Sequence, residues 1–346
     1  KNQITGVREI HILDIISRLF VRMRENISRS VCKMDRREML TSGDKKFDII
    51  RRDMRDMVKA CPEGMVPNVY HMSEDMTTWA QQFQIPSFNQ LLLPHSREFP
   101  IVHSWSRHIL EKFMTKKIEL PVHLLREMMR DKGIALDGQD PMDVLRSNLE
   151  EVRRQGGNFG VIQNNVGMWM GILHYTSSHY HLALISFIED VFNRCLIRKY
   201  GPNVLDAVKH NSYVSSDDRY RILVVYSEDS SVDSKLRSRE ILALYEQVAS
   251  VGNKLFNIKL SSKSATGPLI GEFNSVFFTY ETYLSATIKY AIQCCGLHTT
   301  DSPEDYIHHS FNSVRSAFEN GLSVVGTAIA HNLNAARFNW VFQTNP

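Results

Sequence analysis

The sequence predicts an α+β fold built from two or three subdomains, and three observations carry that reading. A short segment from Lys209 to Tyr213 and the alternating, β-branched run Arg221-Ile222-Leu223-Val224-Val225-Tyr226 flank Val214-Ser215-Ser216-Asp217-Asp218-Arg219-Tyr220, the pattern of a β-hairpin with two acids at its tip. Apolar residues recur at three- and four-residue steps over 10–33 and again over 179–200, as amphipathic helices require. With 346 residues and 43% hydrophobic content, the chain can bury a large core.

The tip sets the chemical question. Two adjacent carboxylates cannot both be buried in apolar surroundings without a counter-ion. A hard divalent metal such as Mg²⁺ or Mn²⁺ takes oxygen ligands and meets that need; a solvated turn, for which Ser and Asp are ordinary residues, meets it equally well. Net charge is only +3, so no global basic field points to a nucleic-acid partner and local clusters must carry any such argument. The five cysteines, Cys32, Cys61, Cys195, Cys294 and Cys295, show no disulfide-framework spacing, which suggests a reducing compartment. Nor do Cys294, Cys295, His298, His308 and His309 match a zinc pattern. Neither a signal peptide nor an apolar run long enough to span a membrane is present. Lacking an initial Met and ending on Thr344-Asn345-Pro346, the chain is expected to be a fragment of something longer.

Lys1 and Arg8 flank a flexible Gly6 and precede the first helix, where an ammonium and a guanidinium can clamp triphosphate oxygens. In that helix Ile12, Ile15, Ile16, Leu19, Met23 and Ile27 form an apolar stripe, with Arg18, Arg22 and Arg29 on the other side. Residues 34–62 are charge-rich and suggest a surface insertion or helix. A strand-like lead over 68–74 ends at Asp75, which either serves chemistry at a strand terminus or caps a helix starting near Thr77. Helical patterns cover about 103–117, 121–132 and 141–153, followed by the glycine-rich 155–160. Thr176 or Ser177 can cap the helix 179–200, which ends at Gly201-Pro202. A helix over 232–253, the polar run Ser261-Ser262-Lys263-Ser264, a strand over Gly271 to Phe278 and a mostly helical 282–346 complete the chain.

Taken in order, these segments resemble the catalytic core of a viral RNA-dependent RNA polymerase, most closely the L proteins of bunyavirus-like segmented negative-strand RNA viruses. Lys1-Asn2-Gln3 with Arg8-Glu9-Ile10 resembles the fingertip motif F, and Asp75-Met76-Thr77-Thr78-Trp79 resembles motif A. Gly171-Ile172-Leu173-His174-Tyr175-Thr176-Ser177-Ser178 is similar to motif B, Ser216-Asp217-Asp218 to motif C, Ser261-Ser262-Lys263-Ser264 to motif D, and Glu272-Phe273-Asn274-Ser275 to motif E. Thr78 stands where the family usually has Lys, and Met170 where it usually has Gln.

The resemblance implies a right-hand polymerase palm, a small antiparallel sheet flanked by helices, with helical fingers and a partial thumb. Residues 1–65 would be fingers and fingertip, 66–100 palm with motif A, 101–155 a fingers insertion, 156–282 palm with motifs B to E, and 283–346 the start of the thumb. Asp75 and Asp217 would bridge two Mg²⁺ or Mn²⁺ ions, with Asp218 supporting and Glu272 in the outer sphere. Lys263, partly screened from water, would protonate the pyrophosphate leaving group. Lys1, Arg8, Trp79, Gly171, Ser177 and Ser216 would meet the nucleotide, while Gln3, Gly171, Thr176 and Ser178 would meet RNA; Ser177 or Thr176 would bond the ribose 2′-hydroxyl. The implied partners are RNA template and product, nucleoside triphosphates, nucleoprotein-coated RNA and the remaining domains of a longer polymerase, in host cytoplasm and virion. A reverse transcriptase-like polymerase and a non-catalytic RNA-binding scaffold are the alternatives.

Overall fold

The computed structural model describes residues 13–77, 79, 83–91, 93–95, 97–123, 125–126, 147, 154, 160–165, 167–168, 172–279, 282–284, 287–294, 296 and 302–343. Expectations that fall on Lys1, Gln3, Arg8, Thr78, Met170 and Gly171, and nearly all of the helix expected over 141–153, lie outside these residues. The described chain begins with α1 (Ile15–Cys32), α2 (Lys46–Lys59), β1 (Val66–Glu74), α3 (Ile85–Gln90) and α4 (Pro100–Phe113). The paired strands β2 (Lys116–Glu119) and β3 (Val161–Asn164) precede the long α5 (His174–Tyr200) and the single turn α6 (Val204–Ala207). Then come β4 (Val208–Ser215), β5 (Asp218–Ser227) and α7 (Val232–Leu255). Four short strands follow, β6 (Ala265–Gly267), β7 (Gly271–Phe273), β8 (Val276–Phe278) and β9 (Tyr283–Leu284), and three helices, α8 (Thr287–Cys294), α9 (Pro303–Glu319) and α10 (Val324–Phe342). Two compact units divide the chain: 1–41, 76–189 and 249–260 in the first, 42–75, 190–248 and 261–346 in the second.

In the first unit α1 corrects the sequence reading. Ile15, Ile16, Leu19 and Met23 are exposed, and the stripe that packs is Val21, Arg24, Ser28 and Cys32. Polar demands set this orientation. Glu25 accepts from the backbone N–H of Tyr175 (2.7 Å) and Thr176 (3.0 Å) and from the Thr176 hydroxyl (2.5 Å), while Arg24 Nη1 donates to Ser28 Oγ at 2.6 Å. Helix α5 accordingly starts at His174, earlier than expected, because the Glu25 carboxylate from α1 takes the role assigned to a local Thr or Ser cap. Its core is aromatic: Phe83 stacks on Phe88 at 4.3 Å between ring centroids, and Tyr180 meets Phe83 edge-on at 5.1 Å.

The second unit holds an antiparallel sheet in the order β4-β5-β1-β6. Central β5 is buried from Arg219 to Ser227, so both of its faces are covered. On one face α2 packs, with Tyr213 donating to Asp53 Oδ2 (3.0 Å) and Tyr226 to the Met57 carbonyl. The other face carries a buried ion cluster, in which Glu74 of β1 accepts from Arg219 Nε and from Arg221 Nε (2.8 Å) and Nη2 (2.6 Å) of β5. The Arg221 guanidinium lies 4.5 Å from the centroid of the α7 residue Tyr245. Burial alone would push the Glu74 carboxyl up, but the charges of Arg219 and Arg221 outweigh it and hold it down at about 2.

The single strand expected from Gly271 to Phe278 is a hairpin. Phe273 pairs with Val276 across a two-residue loop in which Asn274 (φ 50°) and Ser275 (φ 67°) are both left-handed, as a type I′ turn requires. This hairpin lies tight on the sheet: a methyl at Gly271 would collide with the Tyr220 ring, and the Glu272 N–H donates to Ser73 Oγ at 2.6 Å. The helical reading of 282–346 holds for α8 to α10, whose core is Cys294, Val314, Ala317 and Ala330.

Two stability experiments follow from the sheet. Glu74→Gln leaves two buried guanidiniums facing a neutral amide and should cost about 3–5 kcal/mol, read from urea midpoints. The ionised form of Glu74 contributes fully above the unfolded value near 4.5, and that contribution is lost as pH falls through about 2. His71, with Nδ1 2.6 Å from the Tyr220 hydroxyl, is pushed down to about 4 by burial. Its neutral form stabilises the fold fully above 6.5, and the contribution falls away toward pH 4, a loss on the order of 3 kcal/mol. His71→Gln should flatten the stability profile between pH 6.5 and 4; an unchanged slope would assign that acid loss to other groups.

Candidate active site

The register of the central strands brings the expected acids together. In the β1–β5 ladder Glu74 pairs with Arg219, so the next position places Asp75 opposite Asp218. In the β4–β5 ladder Ser215 pairs with Asp218 across a two-residue loop, Ser216-Asp217. Ser216 is buried with φ 60°, the left-handed geometry that a tight hairpin needs at its first loop position. Asp217 sits at the tip, and Asp75, Asp217 and Asp218 are each half-buried.

Electrostatics report their proximity. Burial first, then the negative charges of Asp217, Asp75 and Glu272, push the Asp218 carboxyl up to about 7, while Lys46 acts in the opposite sense. Glu272 itself is exposed, with Oε1 3.9 Å from Lys289 Nζ. With its amide oriented to satisfy its neighbours, Asn274 donates to Asp218 Oδ2 (2.5 Å) and accepts from Lys46 Nζ (2.8 Å) and Ser215 Oγ (3.3 Å).

The segment Ser261 to Ser264 clasps the Asp75 backbone. Ser261 N–H donates to the Asp75 carbonyl (2.8 Å), and Ser264 Oγ both accepts from Asp75 N–H (3.1 Å) and donates to its carbonyl (3.2 Å). Lys263 is carried on this clasp, but it is exposed, not screened from water as expected.

In the first unit, the other expected contacts are occupied within the protein. Trp79 is buried, 5.1 Å from Phe83 and 5.3 Å from His181 between centroids, and acts there as a core residue. Thr176 donates to Glu25, Ser177 Oγ to the His174 carbonyl (2.8 Å), and Ser178 Oγ to Glu38 Oε1 (2.6 Å). Sequence reasoning missed Lys46, Asn274, Glu74, Arg219 and Arg221. A pair of Arg at alternate positions of an otherwise apolar strand was a usable signal for the ion cluster; nothing marked Lys46 among its many charged neighbours. Among the described residues no three His, Cys, Asp or Glu side chains converge tightly enough to hold a metal ion, and no helix is long and apolar enough to cross a membrane.

The RNA-directed RNA polymerase L of Uukuniemi virus is 26% identical over 336 residues, covering 93% of this chain and 15% of its own length. That of Rift Valley fever virus is 22% identical over 340 residues, 95% of this chain and 15% of its own, and that of Pirital mammarenavirus 25% over 338 residues, 94% and 14%. The chain thus spans about 15% of the length of the Uukuniemi virus relative. The family model described as bunyavirus RNA dependent RNA polymerase matches residues 1–336, and the chain belongs to that family.

Proposed function

We propose that this chain carries the nucleotidyl-transfer centre of an RNA-directed RNA polymerase, adding ribonucleotides to a growing RNA on an RNA template for viral genome replication and transcription. The observation that carries the reading is the strand register that sets the end of β1, at Asp75, opposite Asp218, beside the hairpin loop that holds Asp217, with positions far apart in sequence meeting at adjoining strand ends. An all-oxygen, net acidic donor set fits a hard divalent cation and no softer one. Asp75 and Asp217 would hold two Mg²⁺ or Mn²⁺ ions, with Asp218 alongside and Glu272 farther out. When bound, the ions supply charge stabilisation to the attacking and leaving oxygens of an in-line displacement.

The chain's own residues do the rest. The clasp on Asp75 fixes the end of β1, and the same segment presents Lys263, the candidate donor of a proton to the departing pyrophosphate. Lys1 and Arg8 are the candidates for the outer phosphates. RNA, nucleoside triphosphates, nucleoprotein-coated RNA and further polymerase domains are the partners this reading requires, in the host cytoplasm and virion.

Primer extension on an RNA template tests it. Synthesis should require Mg²⁺ or Mn²⁺, prefer ribonucleotides to deoxyribonucleotides, and fall by about a hundredfold or more in Asp75→Asn and in Asp217→Asn. Undiminished synthesis in either variant would overturn the assignment of that acid, and undiminished synthesis in both would overturn the site.

A further inference from the structure

Lys46 stands in an unfavourable place. It is the first residue of α2, directly after Lys45, and the amino-terminal end of a helix carries partial positive charge that repels a cation. Something nearby must compensate, and Asn274 does so when its amide takes the orientation that satisfies its neighbours. Lys46 Nζ donates to the Asn274 side-chain oxygen at 2.8 Å, and the same amide donates to Asp218 Oδ2, so ammonium and acid cluster are separated by one amide group. Asn274 is held for this task by its left-handed turn, by the close seat of Gly271 on Tyr220, and by the Glu272 N–H bond to Ser73.

We propose that Lys46 is a resident counter-ion, positioned through Asn274, that keeps the acidic strand ends assembled until divalent ions take over their charge. The proposal rests on the metal-dependent polymerase reading. It makes Lys46 a positioning residue, and it fixes a sign that simple packing does not: a cation beside the acids stabilises the metal-free protein while competing with incoming metal.

Thermal melting of the full chain against Mn²⁺ concentration reads that sign. Lys46→Gln should melt several degrees below wild type without metal, saturating Mn²⁺ should close the gap, and half-saturation should need about tenfold less Mn²⁺ because the competing charge is gone. Lys46→Arg should follow wild type. Asn274→Ala should move in the direction of Lys46→Gln. If Lys46→Gln folds only with Mn²⁺ present, the proposal stands; if it folds in neither condition, or its deficit is equal with and without Mn²⁺, or Lys46→Arg fails to rescue, Lys46 is a packing residue and the proposal falls. Wild-type protein that shows no Mn²⁺ response at all would remove the metal-site reading itself, an outcome distinct from failure of the Lys46 variants alone.

Discussion

The pairing of Glu74 with Arg219 and Arg221 holds the rest of the site in place. Strand register is a binary matter for side chains: a slip of one residue turns every side chain to the opposite face. Glu74 has to face two guanidiniums across the β1–β5 ladder, and any slip would bury three charges without partners. With that register fixed, the next pair along the ladder must be Asp75 and Asp218. The ion cluster therefore places the acids from behind the strand ends.

Charge is balanced in two compartments one residue apart. Behind the strand ends, one carboxylate meets two buried guanidiniums and stays ionised. Ahead of them burial, with the negative charges of Asp217, Asp75 and Glu272, drives Asp218 up to about 7. Such like-charge repulsion is unfavourable and is tolerated because the surrounding fold determines it: the hairpin tip is fixed by Ser216, the end of β1 by the serine clasp, and Asp218 by Asn274.

Much of this was legible from the sequence. The β4–β5 hairpin announced itself by alternation and β-branching, whereas the residues alone left Asp75 open as a helix cap and Asp217 as part of a solvated turn, and only the ordered resemblance to polymerase motifs singled them out. What stayed hidden was the residue whose role depends on a distant partner. Glu25 caps a helix that starts about 150 positions later, so the start of α5 could not be read from Thr176 and Ser177 alone. Asn274 lay inside what read as a strand, because two consecutive left-handed residues are tolerable for Asn and Ser but are not signalled by them as strongly as by Gly. Lys46 was one cation among many, and only the folded hairpin singles it out.

The inversion of α1 shows which forces decide when local patterns and tertiary demands conflict. Its isoleucines and leucine define a clear apolar stripe, yet a narrow line of Val21, Arg24, Ser28 and Cys32 is what packs. Leaving a few aliphatic side chains in water forfeits on the order of 1.5–3 kcal/mol each. Turning Glu25 outward would strip two backbone donors and a hydroxyl of their acceptor at the head of α5, and turning Arg24 outward would break its bond to Ser28. Directional bonds of this kind are lost together by rotation, whereas an exposed apolar face can be covered by whatever packs against it. Hydrophobic periodicity therefore identified α1 as a helix correctly, while its polar residues chose the side it buries.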